Sequence, residues 1–115
     1  MPHIIVEYTE QLADDEQIAA LLQSVHSAIA ESGLFESSHI KTRAYPFRHF
    51  TQAGGHEPYI HVQARIKSGR NTENKKRLSA AILDAIRRLN IPPAVITVEI
   101  IDMDRDSYAK HAPKG

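Results

Sequence analysis

The sequence predicts an α+β domain: two β-α-β units forming a four-stranded sheet with two helices on one face. Three observations predict it. Two stretches of helical periodicity each lie between segments patterned as strands. The two halves of the chain have the same element order and similar lengths. Each helix, at about 20 residues, suits a right-handed crossover between parallel strands.

The first strand begins at the amino terminus, where Ile4, Val6 and Tyr8 alternate with His3, Ile5 and Glu7. Pro2 is compatible with it, because proline is tolerated at the first residue of a strand. Thr9 to Ala13 read as a turn, and a helix follows through about Ser32. Asp14 and Asp15 favour its positive end. Ile18, Leu21, Leu22, Val25 and Ile29 form its apolar face, and Gly33 is placed to end it.

Leu34 to Ser38 read as a loop. A second strand is expected from His39 to about Phe47, with Ile40, Thr42 and Ala44 on one face and Lys41, Arg43 and Tyr45 on the other. Pro46 marks an edge or a strand end. Gly54-Gly55 is a turn in a polar loop. The third strand, from about Pro58 to Lys67, alternates cleanly: Ile60, Val62, Ala64 and Ile66 against Tyr59, His61, Gln63, Arg65 and Lys67.

After Ser68-Gly69-Arg70, the second helix starts at Asn71 or Thr72, both good caps, and is expected to end near Asn90. Its apolar face is Leu78, Ile82, Ala85, Ile86 and Leu89; Pro92-Pro93 stops it. The last strand, Val95 to Ile101, is so apolar and β-branched that burial on both faces is expected. From Asp102 the tail is polar and without period. The open face, carrying His3, Ile5, Tyr59, His61 and Gln63, is too apolar for water, which predicts oligomerisation through it. A monomeric ferredoxin-like domain has the same element order.

A chain of 115 residues makes one domain, residues 1–115. Fourteen basic residues balance fourteen acidic ones, which argues against nucleic acid as a partner. The absence of cysteine excludes disulfides, thiolate metal sites and a catalytic thiol. No apolar run approaches the ~18 residues that span a bilayer, and the start lacks a signal-peptide pattern. The expectation is a soluble protein of the cytoplasm with no membrane partner.

Seven histidines are present, none paired at metal-ligand spacing, so no metal site is expected. His3 and His61 are candidate neighbours on one sheet face, in structural roles. Pro2 carries chemistry if Met1 is removed, which a small second residue permits: a rigid secondary amine of lowered pKa can serve as general base or nucleophile. Lys41 and Arg43 share a strand face, and Arg70 leads into the second helix. A guanidinium binds a carboxylate through two parallel hydrogen bonds. Taken singly, each of these cations is better read as solvated surface charge, and Arg65 and Lys67 are assigned to that class.

Together these residues resemble a known family. The Met-Pro-His-Ile-Ile-Val-Glu start, the two strand–helix–strand units and Ile40-Lys41-Thr42-Arg43 are similar to the tautomerase superfamily. Ser32-Gly33-Leu34-Phe35, Tyr59 to Arg70 and Asn71 to Lys75 resemble one branch, the 5-carboxymethyl-2-hydroxymuconate isomerases. The resemblance runs from Pro2 to about Asp102. It implies the tautomerase fold, a homotrimer and a cofactor-free isomerase in aromatic compound catabolism of the homoprotocatechuate type. It also implies Pro2 as general base and Arg70, Arg43 and Lys41 as binders of a small-molecule carboxylate substrate. Where the family has Ile-Arg-Ser-Arg, Lys41 replaces an arginine, so a point charge stands where the family has a planar fork. The alternatives are another reaction of the superfamily, or a non-catalytic small-acid-binding protein on the same fold.

Overall fold

The computed structural model describes residues 1–113. Its strands are β1 (His3–Thr9), β2 (Lys41–Phe47), β3 (Tyr59–Lys67) and β4 (Val95–Met103), and its helices α1 (Asp15–Glu31) and α2 (Thr72–Arg87). Short 3-10 turns at Glu10–Leu12 and Ser37–His39 precede α1 and β2.

Local chemistry explains the helix starts. Asp14 caps α1 by accepting from the Gln17 N–H at 2.8 Å, while the Gln17 side chain accepts from the Asp14 N–H at 2.9 Å. Asn71 caps α2 by accepting from the Asn74 N–H at 2.8 Å. α1 ends where expected, with Gly33 at φ +75 turning the chain away.

The sheet order is β2-β1-β3-β4. β1 and β2 run parallel, as do β3 and β4, so both crossovers expected from the sequence are present. The two units meet antiparallel at β1 and β3, with His3 opposite Arg65 and Ile4 opposite Ala64. Both helices pack on one face. Ile4 and Val6 of β1 and Ile60, Val62, Ala64 and Ile66 of β3 are fully buried. They pack against Leu21, Val25 and Ile29 of α1 and Leu78, Ile82 and Ile86 of α2.

Three boundaries and one burial pattern differ from the sequence reading. β2 begins at Lys41, because the 3-10 turn takes up 37–39. α2 ends at Arg87, three residues early, although the Leu89 N–H still bonds the Ile86 carbonyl at 3.1 Å. β4 extends to Met103. It is not buried on both faces: it is an edge strand with only β3 beside it, and helices cover one side only. Ile96, Val98 and Ile100 face the helices, while Val95 is 48% exposed. Among the described residues no helix is long and apolar enough to cross a membrane.

Candidate active site

The amino terminus enters the central part of the sheet. Pro2 is fully buried, and its carbonyl accepts the Lys41 N–H at 3.0 Å, joining the starts of β1 and β2. The Met1 α-amino group donates to the His39 carbonyl at 3.0 Å. Met1 borders a cavity of about 300 Å³. The α1–β2 connection contributes Leu34, Phe35, Glu36 and His39 to its wall; Lys67 and Arg70 flank the exit of β3, and Arg105 comes from the tail. A larger groove, about 630 Å³, runs between the exposed faces of α1 and α2. It is lined by small and polar residues such as Ser27 and Ala81 and brings together no comparable set of cations.

Arg70 is built into this wall. Its Nη2 donates to the Leu34 carbonyl at 2.7 Å, and its guanidinium carbon lies 4.6 Å from the Phe35 ring centroid. The Ser-Gly-Leu-Phe segment supplies that seat. Gly33 reverses the chain, and the Ser32 hydroxyl donates to the Ile29 carbonyl at 2.6 Å while accepting the Leu34 N–H at 3.2 Å. Leu34 and Phe35 are thereby set under the guanidinium, which keeps further N–H groups for a ligand.

The cavity favours anions. Three cationic side chains line it against one carboxylate, Glu36, whose side chain is 77% exposed and 3.6 Å from His39 Nε2. The Met1 α-amino group is held below its ordinary value of 8.0, first by burial and then by Lys41, Lys110 and Lys67. The His3 imidazole is also held below its ordinary range, by burial first and then by the amino terminus, Lys41, Arg43 and Arg65. His3 Nε2 and the Tyr108 hydroxyl are 2.9 Å apart, which ties the tail to β1.

Of the residues singled out in the sequence, Arg70 lines the wall, while Pro2 is buried behind Met1, its nitrogen in the amide bond to Met1, and is not itself part of the wall. Lys41 is exposed beside Pro2, with Nζ 3.4 Å from the His39 carbonyl. Arg43 is exposed on the open sheet face opposite Ile5 and is not part of the cavity wall. His3 and His61 share that face without being neighbours, since His61 opposes Glu7. His61 Nδ1 lies 2.7 Å from Thr97 Oγ1, and its Nε2 lies 2.5 Å from Glu99 Oε2. Lys67, read as surface charge, and Arg105, passed over in the tail, both belong to the cavity. Among the described residues no group of three or more His, Asp or Glu is placed to hold a metal.

The model of the 5-carboxymethyl-2-hydroxymuconate isomerase family matches residues 2–112. The chain belongs to this family of isomerases. The 5-carboxymethyl-2-hydroxymuconate Delta-isomerase of Escherichia coli is 25% identical over 89 residues, covering 76% of this chain and 71% of that protein. A 5-carboxymethyl-2-hydroxymuconate isomerase from Deinococcus radiodurans R1 superposes with a TM-score of 0.79 at 22% identity, over 97% of this chain and 90% of that one. A fused 4-OT, solved as an asymmetric trimer, superposes with a TM-score of 0.82 at 18% identity, over 94% and 91%. These superpositions establish the tautomerase fold.

Proposed function

We propose that, once Met1 is removed, Pro2 is the general base of a cofactor-free isomerase acting on a di- or tricarboxylate dienol of the 5-carboxymethyl-2-hydroxymuconate type. The observation that carries this reading is that one cavity joins Met1, the residue whose removal frees the Pro2 nitrogen, to Arg70. The neutral prolyl amine takes the proton of the dienol hydroxyl as the carbonyl forms. It returns a proton to a distant carbon of the conjugated chain, so one O–H bond breaks and one C–H bond forms. Arg70 fixes a substrate carboxylate through its planar fork. Lys41, beside the amino terminus, favours the neutral amine and the negative charge that develops on the dienolate.

Arg43 stands outside this cavity, on the open face with Ile5, Tyr45 and Val95. Tyr45 is 52% and Val95 48% exposed in the single chain. We infer that copies of this chain cover this face in a homotrimer, the fused 4-OT of the same fold being a trimer; Arg43 then stands at a boundary between copies and serves a shared site. The reading places the protein in the cytoplasm, in breakdown of aromatic compounds of the homoprotocatechuate type.

The test begins with the intact mass of protein purified from cells, which reports whether Met1 is gone. Processed protein is expected to isomerise 5-carboxymethyl-2-hydroxymuconate, and a form with a blocked terminus to lose turnover. Equal turnover by the blocked form overturns the prolyl base. A second reading rests on the Met1 amine itself, which makes the cavity cationic without processing. A protein that retains Met1, and binds the dienol without turning it over, is a small-acid-binding protein.

A further inference from the structure

The residues after β4 fold back onto the cavity. The Met103 carbonyl accepts the Ser68 N–H at 2.9 Å, and Arg105 Nε donates to the Ser68 carbonyl at 3.0 Å. The Arg105 guanidinium lies against Gly69, where an added Cβ would stand 3.8 Å from Nε and 3.9 Å from Nη2. Tyr108 holds the next turn of the tail to His3, and Lys67 Nζ sits 5.2 Å from the Tyr108 ring centroid. These contacts hold Arg105 and Lys67 at the cavity without neutralising them. Among the described residues neither forms an ion pair, and Asp104, next to Arg105, accepts instead from the Asp106 N–H at 3.4 Å.

We propose that Arg105, together with Lys67, forms a second carboxylate subsite in this cavity, and that it selects a tricarboxylate dienol over a dicarboxylate one. The inference rests on the isomerase reading for what enters the cavity. The Arg70 fork holds one carboxylate. A ligand with further carboxylates brings negative charge that Arg70 leaves unmatched, and Arg105 and Lys67 are the remaining cationic side chains on the wall. Arg105 spends Nε on Ser68, which leaves its Nη groups for the ligand.

The test compares kcat/KM for 5-carboxymethyl-2-hydroxymuconate and for 2-hydroxymuconate, which lacks the carboxymethyl group. In Arg105→Gln the ratio of the two is expected to fall about tenfold to a hundredfold, the value of a hydrogen bond to a charged group. Arg105→Lys, which keeps the charge, is expected to recover part of the ratio. A ratio unchanged in Arg105→Gln overturns the proposal, including the case where both substrates suffer equally because the tail has come loose. Titration calorimetry with tricarballylate and glutarate reads the same selectivity without turnover, so it decides even if the isomerase reading fails. Unmodified protein is expected to prefer tricarballylate and Arg105→Gln to lose that preference; equal affinities in the unmodified protein overturn the proposal.

Discussion

Arg70→Lys separates a charge from a fork. Lysine keeps the positive charge at the cavity wall. It cannot hold the Leu34 carbonyl now bonded at 2.7 Å, lie flat on Phe35 and present two parallel N–H groups to a carboxylate at once. The part lost toward the ligand is one hydrogen bond to a charged group, about 1.5–3 kcal/mol, or about tenfold to a hundredfold in affinity. Arg70 is only half-buried, so water screens the site and the lower end applies: KM is expected to rise about tenfold. Initial rates, followed through the ultraviolet absorbance of the dienol, should show kcat little changed. A carboxylate remote from the moving proton is bound alike in the ground and transition states. Phe35→Leu removes the ring under the guanidinium and should move KM the same way by less, since such a contact is worth about 0.5–1 kcal/mol at exposed sites. An unchanged KM in Arg70→Lys refutes the role of Arg70 as carboxylate binder. A fall in kcat at constant KM means instead that Arg70 acts on charge that develops during the reaction.

Three further predictions follow from the same geometry. The neutral amine is the proposed base, so kcat/KM should rise with pH. Its midpoint should lie below 8.0, since burial, Lys41, Lys110 and Lys67 already hold the adjacent Met1 amine below that value, and Lys41→Gln should move the midpoint upward. Leu78→Ala empties a fully buried position on α2 and should cost about 2–5 kcal/mol, read as a lower denaturant midpoint at unchanged slope. Asp14→Ala removes the carboxylate that accepts the Gln17 N–H, leaving the backbone half of the α1 capping box, and should cost about 0.5–2 kcal/mol, read by thermal unfolding.

The elements legible in the sequence are those with local causes. Strict alternation from Ile60 to Ile66 can be satisfied by one face of a sheet, and the α1 stripe by one face of a helix. β4 shows where that reasoning stops. Val, Ile and Thr suit an edge strand as well as a central one, and burial on the second face depends on strand order, which no local pattern encodes. The site divides the same way. Arg70 was legible because it closes a segment similar to the family. Lys67 was not, because strand parity puts it with the open face, and only a tail residue, Tyr108, brings its amine into a specific setting.

Topology accounts for that convergence. The parallel pairs β1–β2 and β3–β4 meet antiparallel at the centre of the sheet, so the starts of β1 and β2 lie at the same end as the exits of β3 and β4. His3 is in register with both Lys41 and Arg65, and Lys67 with Met103. The amino terminus, the loop carrying Arg70 and the turn carrying Arg105 are therefore brought together by strand order alone, before any side chain chooses a partner. A cation in any of these segments adds its field to the same cavity, although the residues lie far apart in the chain. Arg43 is the exception: it lies two residues beyond Lys41 on the open face of the edge strand β2, away from that end, so strand order does not bring it to the cavity.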